Sequence, residues 1–291
     1  MTSWPAPVRG WSLDPPVACA LITAALLWAV GARRVRDARG PGTVSRLRSA
    51  LFLAGLATIG TALQSPIDGY AADRFSVHMA QHLLLTLVAA PLLVLARPVT
   101  LLLQASSRET RRRLLLPVLH SRALGAVAAP PVAWCVFALV TWLTHHPSLY
   151  ELALRNEAVH ALEHVAYLGS ALLFWFAVAG ADPSPGRMGH PARLLYLFLA
   201  MPQMTFLGLA ISSATHALYP SYGTGAAALA DQRLAGTLMG AAGMFVVIPA
   251  IAVVLLDWLR REERAADRAD ARHDQAPHPP PRADIHPTRP L

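Results

Sequence analysis

Seven long apolar runs limit the fold of this chain more than any other feature. In chain order they are approximately 15–32, 47–64, 75–95, 124–144, 158–180, 192–215 and 234–258. A helix needs about 17–25 such residues to cross a hydrocarbon layer roughly 30 Å thick. Because lipid cannot satisfy open backbone groups, continuous apolar segments of this length cross it as helices. The sequence therefore predicts an all-α, polytopic membrane helix bundle with seven transmembrane helices.

The composition agrees with a chain that lies mostly in lipid. Of the 291 residues, 54% are hydrophobic and only 14% are charged, whereas soluble domains carry roughly 25% charged residues. In a soluble protein the net charge of +8 would suggest a nucleic-acid partner. In a membrane protein cationic loops fix the orientation instead, so we expect contact with a lipid bilayer and no nucleic acid.

The arginines predict how the bundle is oriented. Most of them follow the first, third, fifth and seventh runs, as in Arg33-Arg34 and Arg260-Arg261. Short loops rich in arginine stay on the cytoplasmic side. An odd number of spans then places the N-terminus outside and the C-terminus in the cytoplasm.

Three segments follow from this pattern. We expect residues 1–14 to be an extracytoplasmic N-terminal segment and residues 15–258 to be the seven-helix transmembrane domain. Residues 259–291 are charged at first and proline-rich later. The charged part after Trp258 predicts a short helical extension into the cytoplasm. The proline-rich part from Ala276 onward cannot bury enough apolar surface to fold, which predicts a disordered cytoplasmic tail.

Two histidine pairs lie at the predicted outer ends of the third and fifth spans. His78 and His82 are four residues apart, as are His160 and His164. This spacing puts both rings of a pair on one helix face, about 6 Å apart along the axis. Imidazole is a ligand for copper, zinc, iron and nickel, and polar residues inside spans are often functional. We therefore predict a metal site at these four residues, in preference to interfacial anchoring.

Other polar residues fall on the same side of the predicted bundle. His145, His216 and Asp231 are candidates for an outer rim of the site. Glu163 lies between the histidines of the second pair, where it could orient an imidazole or pair with Arg155 in the preceding loop. The sequence leaves both roles for Glu163 open.

The methionines and the remaining motifs carry less information. Met79 lies beside the first histidine pair, and Met201, Met204, Met239 and Met244 lie deeper. Packing explains such methionines more often than thioether ligation does. The sequence has no glycine-rich phosphate loop, no nucleophile–histidine–acid order and no paired catalytic carboxylates. We therefore expect a protein that is not an enzyme.

Several ordered segments resemble the CtaG family, the assembly factors of caa-type cytochrome c oxidases in bacteria. They are His-Met-Ala-Gln-His-Leu-Leu-Leu at 78–85, Thr-His-His-Pro-Ser-Leu-Tyr at 144–150, His-Ala-Leu-Glu-His at 160–164 and Asp-Gln-Arg-Leu-Ala-Gly-Thr-Leu-Met at 231–239. The chain departs from the family pattern at Ala235-Gly236 and Met239-Gly240, where a second glycine and an aromatic residue are common.

The resemblance implies a role in making an active terminal oxidase in the bacterial cell membrane, at the step of copper delivery. The partners would be oxidase subunits or another copper chaperone, and copper would bind His78, His82, His160 and His164. A haem-binding membrane oxidoreductase is one alternative, because paired histidines can also ligate haem iron. A membrane scaffold or permease without a metal is another.

Overall fold

The structure is a computed structural model that describes residues 13–180 and 188–274, and all regular structure within these ranges is helical. The first helices are α1 (Pro15–Arg39), α2 (Arg46–Gln64), α3 (Pro66–Ala71), α4 (Phe75–Leu83), α5 (Ala90–Leu95), α6 (Pro98–Ala105) and α7 (Arg108–Thr110). The later ones are α8 (Leu116–Leu119), α9 (Arg122–Val127), α10 (Pro130–Thr144), α11 (Pro147–Arg155), α12 (Glu157–Ala179), α13 (His190–Ser212) and α14 (Ala226–Asp274). The other regular elements are two π-helical stretches, Leu84–Ala89 and Arg111–Leu115, and a 3₁₀ turn, Pro220–Tyr222.

Six helical stretches in the described part of the chain are long and apolar enough to cross a membrane. They are Pro15–Arg39, Arg46–Gln64, Phe75–Ala105, Glu157–Ala179, His190–Ser212 and Ala226–Arg268. The fourth predicted run, 124–144, instead forms the short helix α9 and the 15-residue apolar helix α10. Pro130 and Pro131 cause this division, because proline starts a helix far more readily than it continues one.

The helix that carries the first histidine pair changes its winding just below that pair. The π-helical stretch Leu84–Ala89 precedes Pro91, which has no N–H group to continue a regular helix. Side chains compensate for the disturbed backbone, since Thr86 Oγ1 donates to the His82 carbonyl at 2.8 Å. Trp175 Nε1 of α12 in turn donates to the Thr86 carbonyl at 2.9 Å. These bonds tie the base of the histidine pair to α12.

Helices α13 and α14 approach each other through glycine. A Cβ atom on Gly236 would lie 2.5 Å from the carbonyl oxygen of Gly208 and 2.7 Å from the amide nitrogen of Ser212. Only small residues allow backbones to come this close within a membrane bundle. The close approach brings Met204 of α13 and Met239 of α14 into the bundle interior, where both are buried.

The predicted tail divides at the end of α14. This helix continues past Trp258 to Asp274, so the charged first part of the tail is helical. Residues 275–291, which include the segment predicted to be disordered from Ala276 onward, lie outside the described residues, as do residues 1–12 of the predicted N-terminal segment.

Candidate metal centre

The four paired histidines meet in one cluster. His78 and His82 lie on α4, His160 and His164 lie on α12, and one ligand atom from each is within 4.8 Å of the others. The ring centroids are 5.1 Å apart for His78 and His160 and 5.4 Å apart for His82 and His164. The pairs thus face each other across the two helices, which the spacing alone could not establish.

Polar caps fix the start of both helices. Asn156 accepts hydrogen bonds from the amides of Ala158 and Val159 through its side-chain oxygen, at 3.0 and 3.1 Å, as expected at the N-cap of α12. On α4, Ser76 donates its amide and its hydroxyl to Asp231 of α14. Each cap lies within one or two turns of a histidine pair, so the helix starts hold the imidazoles in position.

Hydrogen bonds orient the ring of His78. Its Nδ1 lies 2.8 Å from the hydroxyl of Tyr222, and that hydroxyl also lies 3.2 Å from the Ala71 carbonyl oxygen. The contact with Tyr222 leaves Nε2 of His78 on the side of the cluster, 3.0 Å from Nε2 of His82. An outer partner that fixes a ligating imidazole in this way is typical of metal sites.

The other three imidazoles each carry an unpartnered nitrogen. His82 Nδ1, His160 Nε2 and His164 Nε2 are buried and have no hydrogen-bond partner among the described residues. A buried polar atom without a partner costs about 1–3 kcal/mol. Coordination of a cation by these nitrogens would offset that cost. The donor set therefore fits a metal that prefers imidazole, such as copper or zinc.

A cap of tyrosines lies over the cluster. The Tyr150 and Tyr222 hydroxyls are 3.2 Å apart, and the Tyr219 ring packs against Tyr150 with centroids separated by 4.4 Å. Burial raises the pKa of Tyr150, Tyr219 and Tyr222 above the ordinary value, so all three phenols are neutral at physiological pH. Sequence reasoning missed these residues, because the loop and the short helix that carry them have no spacing that points to the histidines.

His145 was predicted at an outer rim, yet it is buried below the tyrosines with 5% of its surface exposed. Its Nδ1 lies 2.6 Å from the Thr141 carbonyl and 3.2 Å from the Tyr167 hydroxyl. Its Nε2 lies 3.2 Å from the sulfur of Met79. His145 is therefore an interior residue next to the cluster.

The remaining rim candidates have different positions. The His216 side chain is exposed, because α13 already ends at Ser212. Asp231 caps α4, as described above. Glu163 is buried, and neither of its carboxylate oxygens has a hydrogen-bond partner among the described residues. The ion pair suggested between Glu163 and Arg155 is wrong, since Arg155 pairs with Glu151 at 3.0 Å.

Comparisons with known proteins identify a family that the chain matches. Residues 26–261 match the family model described as cytochrome c oxidase caa3 assembly factor. Uncharacterized proteins of Mycobacterium bovis, Mycobacterium tuberculosis and Mycobacterium leprae are each 28% identical over 276 residues, which is 91% of this chain. The chain spans 42% of the length of each of these relatives. No solved structure matches it.

Proposed function

The chain belongs to the cytochrome c oxidase caa3 assembly factor family, and from this premise we propose that it binds copper as cargo for the oxidase. The copper would bind His78, His82, His160 and His164, in the bacterial cell membrane. It would pass by ligand exchange to an oxidase subunit or to another copper chaperone. No organic substrate is turned over in this role, which is not that of an enzyme.

One observation carries the proposal. Four imidazoles from two helices converge within 4.8 Å, and three of them have a buried nitrogen without a hydrogen-bond partner in the described ranges. Packing does not explain such a group, because each unpartnered nitrogen costs free energy. A soft or borderline cation would offset the cost, and neutral imidazole binds both oxidation states of copper.

The proposed topology puts the cluster where a handover requires it. We propose seven spans: the six long helical stretches and the 15-residue helix α10, which would be the fourth span in chain order. At about 22 Å, α10 is shorter than the others. The arginine-rich segments before α2 and after Trp258 support a cytoplasmic position for these ends. The histidines then lie near the extracytoplasmic face, and His160 and His164 are only half-buried, which supports exchange with a partner.

The haem alternative has less support from the geometry. The cavity that adjoins the cluster has a volume of about 20 Å³, whereas pockets for drug-sized ligands have roughly 300–1,000 Å³.

Metal analysis of the full chain tests the proposal. Protein purified in detergent from copper-replete cells should contain copper, and the H78A/H82A/H160A/H164A variant should contain less, because the ion of the cluster is lost. His146→Ala is the matched control, because His146 is exposed next to His145. In membranes the four-site variant should also lower oxidase activity. Equal copper content in both variants would refute the site, and a Soret band in the purified wild type would favour haem.

A deletion strain separates assembly from a scaffold or permease role. Loss of the gene should leave the oxidase polypeptides in the membrane but reduce their copper content and activity. An oxidase with normal copper and normal activity would support the scaffold or permease alternative.

A further inference from the structure

A small interior cavity lies next to the four-histidine cluster. Its volume is about 20 Å³, which is enough for one water molecule or one bare ion. Three methionines and two histidines contribute to its walls: Met79, Met204, Met239, His82 and His145. All five side chains are buried. Three thioethers and two imidazoles around so small a space are more than packing requires.

The hydrogen bonds of His145 determine which of its nitrogens has a lone pair. Nδ1 faces the Thr141 carbonyl at 2.6 Å, and a carbonyl can only accept. The neighbouring hydroxyls are consistent with a proton on Nδ1. Thr144 donates to the Val140 carbonyl, so the hydroxyl of Tyr167 donates to Thr144. The oxygen of Tyr167 can then accept from Nδ1 of His145. Nδ1 of His145 therefore carries the proton, and Nε2 carries the lone pair.

That lone pair faces another acceptor. Nε2 of His145 lies 3.2 Å from Sδ of Met79, and a thioether sulfur has no proton to donate. Two electron-pair donors are thus in contact at the cavity wall, with no hydrogen between them. The ring of His82 also lines the cavity beside these two donors. A cation that accepts electron pairs from nitrogen and sulfur would relieve this arrangement.

We propose that this cavity is a second metal site, selective for Cu(I), with Met79 and His145 as its central ligands and Met204 and Met239 as further thioether donors. Thioethers favour Cu(I) over harder divalent ions, and the apolar surroundings favour an ion of low charge. Because His82 belongs both to the four-histidine cluster and to the cavity wall, it would connect the two sites. The inference deepens the proposed copper function and rests on it for the origin of the ion, but not for binding itself.

Anaerobic titration of purified full-length protein with Cu(I), against a competing chelator, tests the site. Methionine-to-leucine changes keep the volume nearly constant and are well tolerated in packed interiors. The M79L/M204L/M239L variant should bind one Cu(I) equivalent fewer than the wild type. M201L/M244L is the matched control, because neither residue lines the cavity, and it should bind as the wild type does.

A spectroscopic measurement needs no substitution and covers the case in which the triple variant does not fold. Wild-type protein labelled with selenomethionine and loaded with Cu(I) should show copper scattering at the selenium X-ray absorption edge. The signal identifies thioether ligation specifically, because Cys19 and Cys135 are not labelled. Absence of copper around selenium in a copper-loaded sample would overturn the proposal.

Failure of this inference is distinguishable from failure of the proposed function. The H78A/H160A/H164A variant disrupts the four-histidine cluster and leaves His82 and the cavity in place. It should retain the Cu(I) equivalent that shows selenium contact. Copper in the wild type without selenium contact would refute only the second site, whereas a wild type that binds no copper would refute both.

Discussion

The backbone amide of Ser76 donates a 3.1 Å hydrogen bond to Oδ2 of Asp231, a residue 155 positions later in the chain. The Ser76 hydroxyl donates to the other carboxylate oxygen. Ser76 is in the first turn of α4, two residues before His78, and Asp231 is near the start of α14. A carboxylate at this position satisfies a free amide and interacts favourably with the helix dipole. The last helix of the chain thereby fixes the start of the helix that carries the first histidine pair.

We predict that Asp231→Ala loosens this end of α4 and weakens the metal site without removing a ligand. Loss of a cap costs about 0.5–2 kcal/mol, so the apparent melting temperature of the detergent-purified protein should fall by a few degrees. Copper affinity should fall as well, because His78 lies in the next turn. Intrinsic fluorescence during heating and a copper titration measure the two effects. Asp267→Ala is the control, since Asp267 lies on the same helix and is exposed; an equal effect there would contradict the capping role.

We further predict that Tyr222→Phe lowers copper affinity while all four imidazoles remain. The change removes the hydroxyl that is hydrogen-bonded to Nδ1 of His78, and the loss of such an outer partner typically costs about 10–100-fold in metal affinity. Competition with a chromophoric chelator measures the change. Tyr196→Phe is a suitable control, because the Tyr196 hydroxyl is buried and has no hydrogen-bond partner in the described part of the chain. Equal affinity of Tyr222→Phe and the wild type would show that the hydroxyl does not support the site.

The histidine pairs and most of the spans could be predicted from the sequence, because both depend on local periodicity. The separation of four residues puts His78 and His82 on one face whatever the rest of the chain does. Whether that face meets His160 depends on which helices are neighbours, and the sequence carries no direct record of this. From the sequence, convergence of the four imidazoles was therefore only a hypothesis. The structure brings the four rings together.

Features that depend on several distant segments could not be predicted. His145 was placed at the outer rim because it follows an apolar run, but Tyr219 covers it by donating to its backbone carbonyl at 2.8 Å. Tyr219 and Tyr222 belong to a loop whose composition gives no periodic signal. The division of the fourth run was also missed, although Pro130 and Pro131 contained the signal for it, because proline is favoured in the first turn of a helix.

The contact between α13 and α14 gives a prediction that is independent of copper. Gly236→Ala should destabilise the bundle, because the added Cβ would lie 2.5 Å from the Gly208 carbonyl oxygen and backbone atoms cannot easily move away. Overpacking of this kind costs about 1–3 kcal/mol. Gly240→Ala is the control on the same helix, since its Cβ would lie 3.9 Å from the nearest atom, the Thr205 Cα. The yield of monodisperse protein and its apparent melting temperature should fall for Gly236→Ala only. Similar losses for both variants would contradict the close approach.

Glu163 provides a test of charge at the site. Its carboxylate is buried without a hydrogen-bond partner among the described residues, and it lies one turn from His160 and next to His164 on α12. Burial without a partner favours the neutral carboxyl in the metal-free protein, whereas a bound cation would favour the carboxylate. Glu163→Gln keeps the size and removes the ionisable group. We expect it to leave the metal-free protein as stable as the wild type or more stable.

The same variant should bind copper less tightly. A negative charge near the ion contributes about 1–2 kcal/mol at an effective dielectric constant of roughly 20, so the affinity should fall about tenfold. A ligand that binds only the folded state raises stability by an amount that grows with the logarithm of its affinity. The rise in apparent melting temperature on adding copper should therefore be smaller in Glu163→Gln than in the wild type. Glu157→Gln changes an exposed carboxylate in the first turn of the same helix and should preserve the full rise. If copper stabilises Glu163→Gln as much as it stabilises the wild type, the carboxylate does not contribute to the metal site.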